Sequence, residues 1–226
     1  MGFWRQANEE FSDIVHRMAN NMKKMLHGHG LSAAEIRKRM AGIPAYKLSN
    51  YTDNKVFINS DHDENKRFPL HFITKPDALD FLETAKLHYD LERDWRIVDT
   101  PLSDVIDDET IRFVPDLLQI KNAIKEKGKE KDMPASDDKI FIGVPIFKTS
   151  EFTLEVTGEI FRPAFLRKED LQERLAAMNI SPEDSIEVGS LEETIQEMKD
   201  RSTSKSNDIL FIGLGDTSWT WLHEHQ

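Results

Sequence analysis

The sequence predicts an α/β fold: two related α/β repeats, an internal duplication, preceded by an N-terminal amphipathic helical segment. Three observations predict it. Ile43-Pro44-Ala45-Tyr46-Lys47 reappears as Val144-Pro145-Ile146-Phe147-Lys148. The blocks behind each copy recur in one order: Phe72 to Asp77 is answered by Phe165 to Asp170, Ile97 to Ile106 by Ile186 to Ile195 with Leu102 opposite Leu191, and Ile111 to Val114 by Leu210 to Ile212. Ala78, Leu82 and Ala85 are spaced as one helix face, and a shift of 93 residues gives Leu171, Leu175 and Met178, so both helices should bury the same stripe. The matches are mostly apolar. They describe a shared scaffold and not shared chemistry.

Before the repeats, residues 1–40 read as helical. Phe11, Ile14, Val15, Met18, Met22, Met25 and Leu26 form one apolar stripe. Gly28-His29-Gly30 breaks it, and a second short helix follows Ser32, which has Glu35 at capping-box spacing. The first repeat spans 41–128. Ile43 to Leu48 and Lys55 to Ile58 read as strands around the turn-rich Asn50 to Asn54, and Phe68 to Ile73 as a third. Pro76 opens a helix, since proline is tolerated in the first turn. A strand at Arg96 to Val98, a short helix from Pro101, a strand at Ile111 to Val114 and a helix from Pro115 to about Lys127 complete the unit, and Gly128 ends it.

Residues 129–139 contain almost nothing to bury and read as a linker. The second repeat spans 140–213. Its first run, Ile140 to Val144, is apolar enough for a strand buried on both faces. A hairpin of Phe152 to Val156 with Glu159 to Phe165 about Thr157-Gly158, a helix from Lys168, a strand at Ile186 to Val188, a helix from Ser190 and a strand at Ile209 to Ile212 follow. Residues 214–226 form a tryptophan-containing tail.

A chain of 226 residues can bury a sizeable core. Its 41 acidic and 30 basic residues leave a net charge of -11, which argues against nucleic acid as a partner, because phosphate binding relies on clustered Lys and Arg. An anionic membrane surface is disfavoured for the same reason, although a local basic stretch escapes the average. There is no cysteine, so disulfides, thiolate metal sites and thiol catalysis are excluded. No apolar run approaches the ~20 residues of a bilayer span. The N-terminus lacks a basic-then-apolar signal pattern, and Gln6 stands where a myristoylation signal wants Ser or Thr.

The candidate chemical sites are weak. His27 with His29 and His223 with His225 each offer two ligands where zinc wants three or four, and they read as solvated ends. Gly213-Leu214-Gly215-Asp216 lacks the third glycine and the following helix of a phosphate loop. Asp104, Asp107, Asp108 and Glu109 resemble paired carboxylates for acid-base work but have no accompanying histidine, and read as a solvated helix end. Pro44 and Pro145 resemble the proline before a thioredoxin strand, yet redox chemistry there needs cysteine. They set strand entry instead. No catalytic, cofactor-binding or metal-binding residue is therefore expected.

Two features favour binding. Methionine is unbranched and adapts to irregular apolar surfaces, so Phe11, Met18, Met22 and Met25 are candidate partner contacts; packing of the stripe on the chain's own repeats is the alternative. Trp219 and Trp221, alternating with polar residues in Ser218-Trp219-Thr220-Trp221-Leu222, are the others.

Ala41-Gly42-Ile43-Pro44-Ala45-Tyr46 with Leu48-Ser49-Asn50, Phe113-Val114-Pro115, Phe141 to Phe147, Phe161-Arg162-Pro163-Ala164-Phe165-Leu166 and Ile186-Glu187-Val188-Gly189-Ser190-Leu191-Glu192-Glu193 resemble the twenty-two-kilodalton family of the translocon at the inner chloroplast envelope, which has cyanobacterial relatives. The resemblance covers roughly residues 40 to 213. It implies two related α/β halves with exposed apolar grooves, no enzyme activity, and a chaperone-like role in protein import across or to the plastid envelope. The implied partners are precursor or client proteins and subunits of a membrane translocon or photosynthetic complex, with peripheral membrane association, in the envelope intermembrane space or on a plastid membrane, or in a cyanobacterial periplasm or thylakoid region. A structural or assembly subunit of a photosynthetic membrane complex is the alternative role.

Overall fold

The computed structural model describes residues 30–50, 57–59, 67–88, 94–108, 110–129, 140–156, 158–183, 185–200 and 206–213. The stripe of Phe11, Met18, Met22 and Met25, the histidine pairs and the tail with Trp219 and Trp221 lie outside them. Helix α1 (Ala33–Arg39) opens the described chain. Its capping box forms as the spacing predicts: Glu35 N donates to Ser32 Oγ at 3.3 Å while Ser32 N donates to the Glu35 carboxylate at 2.8 Å.

The first half is β1 (Pro44–Ser49), β2 (Phe57–Asn59), β3 (Arg67–Phe72), α2 (Lys75–His88), β4 (Arg96–Pro101), α3 (Leu102–Val105), β5 (Arg112–Val114) and α4 (Leu117–Lys127). The second is β6 (Pro145–Lys148), β7 (Leu154–Val156), β8 (Glu159–Phe165), α5 (Lys168–Ala177), β9 (Glu187–Ser190), α6 (Leu191–Lys199) and β10 (Ile209–Ile212). In the first sheet β1 runs antiparallel between β3 and β4, and the far edge of β3 is shared by antiparallel β2 and parallel β5. The second sheet pairs β6, β8, β9, β7 and β10 in the same way. Even the register agrees. Tyr46 faces Phe72 as Phe147 faces Phe165, Pro44 faces Pro101 as Pro145 faces Ser190, and Phe72 faces Val114 as Phe165 faces Ile212. The Leu102 N–H bonds the Ile43 carbonyl and the Leu191 N–H that of Val144, each at 2.8 Å.

Alternation along the strands builds three cores. Ala45 and Ile146 point into a core shared by both halves, with Ile36 and Met40 of α1, Leu102, Ala164, Leu191, Ile195, Met198 and Phe211. Tyr46 and Leu48 point to the other face of the first sheet, against Ala78 and Leu82 of α2. Phe147 and Phe165 point to the corresponding face of the second sheet, against Leu171 and Leu175 of α5 and also Ala123 of α4. Thus α4, which follows the first sheet in the chain, packs on β6 and β9 of the second.

Three expectations are corrected. Ile140 to Val144 is not a strand. Gly143 takes φ +88°, which ends the extended run, and with β6 starting only at Pro145 the side chains of Ile140 and Ile142 are 82% and 84% exposed. The stripe shared by α2 and α5 holds for its first two positions only, because α5 ends at Ala177 and leaves Met178 at the C-cap, 41% exposed. Asp107 is not part of a solvated helix end, since Arg37 of α1 lies 3.0 Å from its carboxylate and Lys199 of α6 lies 3.2 Å away. Pro44 and Pro145 begin β1 and β6, and all peptide bonds among the described residues are trans.

Gly42 and Gly143 occupy equivalent positions at φ +83° and +88°. A methyl group on Gly42 would meet nothing within 4 Å, whereas one on Gly143 would lie 2.5 Å from Glu192 Oε2 and 2.8 Å from Ser190 Oγ. That carboxylate cannot swing aside freely, because it accepts from Val144 N at 2.9 Å and from Ser190 Oγ at 3.0 Å. Gly42→Ala should cost about 1 kcal/mol, the left-handed backbone alone. Gly143→Ala should cost about 2–4 kcal/mol, with overpacking added. Equal losses in urea unfolding would show that the Glu192 contact yields without cost.

Candidate functional site

The outer faces of the two sheets are built alike but covered differently. On the second sheet α4 lies beside α5 and its polar side chains complete that helix. The N-cap position of α5, Arg167, makes no side-chain cap, so the first-turn N–H groups need another acceptor. Gln119 of α4 supplies it: its Oε1 accepts from Lys168 N at 3.0 Å while its Nε2 donates to Glu169 at 2.8 Å, and Asn122 donates to the same carboxylate at 2.8 Å. One turn further on, Glu126 receives Lys168 Nζ at 2.6 Å and Lys129 Nζ at 2.8 Å. Burial pushes the Glu126 carboxyl up, but the hydrogen bonds and charges of the two lysines outweigh it and hold the group below its ordinary value. Under this cover Phe147 is fully buried.

On the first sheet Tyr46 takes the place of Phe147 and stays half-buried, with Phe81, Trp95, Ile97 and Val114 around it in the same state. Asp99 pairs with Tyr46 across β1 and β4, on the same face, and is exposed; Val188 holds that position in the second sheet. Burial, aided by the Asp99 charge, pushes the Tyr46 hydroxyl up. Lys75, the counterpart of buried Lys168, is exposed, and α2 caps itself: Thr74 Oγ1 accepts from Asp77 N at 3.2 Å. This face is therefore an apolar floor with a partly open margin that carries the exposed Asp99. Leu79, on α2 beside it, is 44% exposed.

Further apolar side chains face solvent at both ends of α4. Leu117 and Leu118 open the helix, and Ile140 and Ile142 flank Phe141, whose ring lies 4.9 Å from Lys127 at its last turn. A helix of this length spans about 16 Å, so the two exposed pairs stand roughly that far apart at its opposite ends. Such surface is suited to non-directional apolar contact.

The structure brings together groups that the sequence keeps far apart. Besides Glu126 with Lys168 and Asp107 with Arg37 and Lys199, Arg162 forms a two-point pair with Asp208, at 2.6 and 2.8 Å. That pair raises the guanidinium and, against the effect of burial, lowers the carboxyl. These pairs tie elements together. No three His, Asp or Glu side chains gather as a metal site among the described residues. No helix among them is long and apolar enough to cross a membrane. Sequence reasoning missed Gln119 and Glu126, which in the sequence look like ordinary surface polar residues of a helix.

The family model described as the Tic22-like family matches residues 5–224. A chloroplastic TIC 22-like protein of Arabidopsis thaliana is 32% identical over 203 residues, covering 83% of this chain and 63% of its own length. The chloroplastic TIC 22 of Pisum sativum is 27% identical over 196 residues, covering 82% of this chain and 75% of its own length. Among solved structures, Anabaena Tic22, described as a protein of protein transport, superposes with a TM-score of 0.64 at 16% identity over 87% of this chain and 98% of that one. Tic22 from Plasmodium falciparum gives 0.61 at 15% identity over 84% and 96%. At these identities the two structures speak for the fold alone. The match of the family model along nearly the whole chain is what decides the family: this chain belongs to the Tic22-like family.

Proposed function

We propose that the chain is a non-enzymatic, chaperone-like factor that assists protein transport across or to the plastid envelope, working in the intermembrane space or at the surface of a plastid membrane. Its partners are precursor or client proteins and subunits of a membrane translocon. The plant relatives are chloroplastic and the Anabaena structure is described under protein transport, which supports the setting. The observation that carries the mechanism is the exposure of Leu117, Leu118, Ile140 and Ile142 at the two ends of α4. Large apolar side chains held on a folded scaffold can bind extended client segments by burial, while a net charge of -11 keeps the complex dispersed. Phe11, Met18, Met22, Met25, Trp219 and Trp221 are the proposed further partner contacts.

The same reading takes the units 41–128 and 140–213, joined by the linker 129–139, as copies of one ancestral unit. Identical strand pairing and register support it. No specific observation favours a structural subunit of a photosynthetic complex.

The full chain, mixed in equal amount with a denatured aggregation-prone protein, should suppress light scattering. Leu117→Asp with Ile142→Asp should weaken that suppression at least roughly threefold without shifting the urea midpoint, because substitutions at exposed positions away from packed features change stability by about 0.5 kcal/mol or less. Scattering unaffected by the intact chain, or suppression untouched by the double substitution, would remove the proposal.

A further inference from the structure

We propose that β4, the edge strand of the first sheet, is a docking edge on which an extended segment of a client polypeptide adds as a further strand. The inference goes beyond the apolar contacts at the ends of α4, and it rests on the client reading for the nature of the partner.

The strand order β2-β3-β1-β4 leaves β4 with a neighbour on one side only. That neighbour is β1, paired along the whole of Arg96–Pro101. The ladder decides which backbone groups face outwards. Leu102 N donates to the Ile43 carbonyl, so Pro44 and Pro101 form a pair without mutual hydrogen bonds, and alternation makes Tyr46 with Asp99 and Leu48 with Ile97 pairs of the same kind. The N–H and C=O groups of Ile97 and Asp99 therefore point away from β1. Among the described residues no strand pairs beyond β4, and no turn or loop bond uses these groups.

Sheet edges invite pairing unless something blunts them. β9, the matching strand of the second sheet, has only four residues, one of them Gly189. β4 has six, in continuous register with no bulge, no glycine and no lysine, and its proline stands at the very end. The first half thus keeps a longer and more regular edge than the second.

An extended client needs what this edge offers. A chain drawn out against apolar side chains alone leaves its peptide groups unpaired once water is displaced, each at a cost comparable to a lost hydrogen bond. On β4 they meet donors and acceptors at strand spacing. Alternate side chains of the added strand come to lie beside Trp95 and Ile97, both half-buried on the apolar floor. Asp99, exposed on that face, sets a second preference: a basic side chain two residues from an apolar one. Charge also chooses between occupants. A second copy pairing antiparallel would bring two Asp99 carboxylates onto one face, and two chains of net charge -11 repel. A client segment with apolar and basic residues in alternation meets neither penalty.

The test uses the full chain and a fluorescein-labelled peptide in which valine alternates with threonine and one valine is replaced by lysine, read by fluorescence anisotropy. The alternation fixes the register, because a one-residue slip would turn every valine away from the floor. N-methylation of every second peptide group should weaken binding at least roughly tenfold in one frame, whose N–H groups face β4, and less than about twofold in the other. In the protein, Asp99→Pro removes an outward N–H and leaves the bonds to β1 intact, whereas Asp99→Ala removes only the charge. Asp99→Pro should bind at least roughly tenfold more weakly than the natural chain and Asp99→Ala about two- to fivefold, with like urea midpoints. No peptide binding by the intact chain, equal effects of methylation in the two frames, or Asp99→Pro binding as well as Asp99→Ala would overturn the inference. So would a dimer of the full chain that Asp99→Pro dissociates. Scattering assays separate the two proposals. Suppression kept while the peptide results fail counts against the docking edge alone, and frame-dependent peptide binding without suppression counts against the client reading alone.

Discussion

Glu126→Gln is expected to destabilise the protein by about 3–5 kcal/mol at neutral pH, the cost of leaving a buried lysine without its counter-charge. The carboxylate lies beneath α4, 2.6 Å from Lys168 Nζ, with both side chains nearly closed to solvent. Lys129 contributes less, because its ammonium is half in water. The sign of the pH dependence follows from the depressed carboxyl. A group whose folded value lies below its unfolded value stabilises fully above the unfolded value, here near 4.5, and loses that contribution as pH falls through the folded value. The gap between the natural protein and Glu126→Gln should therefore be widest above about pH 5 and close in more acidic solution. Urea unfolding at pH 7, 5 and 3 checks it. A gap that stayed constant would mean that the loss comes from packing and not from charge.

Ile36→Ala should cost about 2–5 kcal/mol, and both halves should feel it. Ile36 is fully buried in the core that joins the two sheets, beside Met40 and residues of both halves. Helix α1 is also tied to each half by polar bonds: Arg37 to Asp107 in the first, Arg39 Nη1 to the Ile209 carbonyl at 3.1 Å in the second. Next to it, Leu31 N donates to the Met198 carbonyl at 2.7 Å. A short helix of 7 residues has little stability of its own, so these contacts hold it in place. Hydrogen exchange should quicken in β1 and β6 together. If β6 kept its protection while β1 lost it, the shared core would not couple the halves.

The fold was largely legible because its signals are local. Short runs bounded by turn residues marked β1, β3 and β8, Ser32 with Glu35 marked the start of α1, and Thr157-Gly158 marked the β7–β8 hairpin. The run at Ile140 misled because apolar content alone cannot say whether the backbone continues straight. A left-handed glycine at 143 decided otherwise, and the exposed isoleucines became part of the candidate surface. The candidate site was less legible. Gln119 and Glu126 look like ordinary surface polar residues until α4 is laid on α5, 42 residues after Glu126 in the case of Lys168.

By itself, the sequence determined the element order and the pairing of like blocks in the two halves, since periodicity, turn residues and composition are properties of short stretches of chain. Only the tertiary structure decided that α4 leaves the sheet it follows and covers the next one, and that Asp107 faces Arg37 and Lys199. It also decided that Tyr46 stands half-open where Phe147 is sealed. The physical reason is that burial and charge pairing between distant segments depend on where whole elements come to rest against one another, which no local propensity encodes.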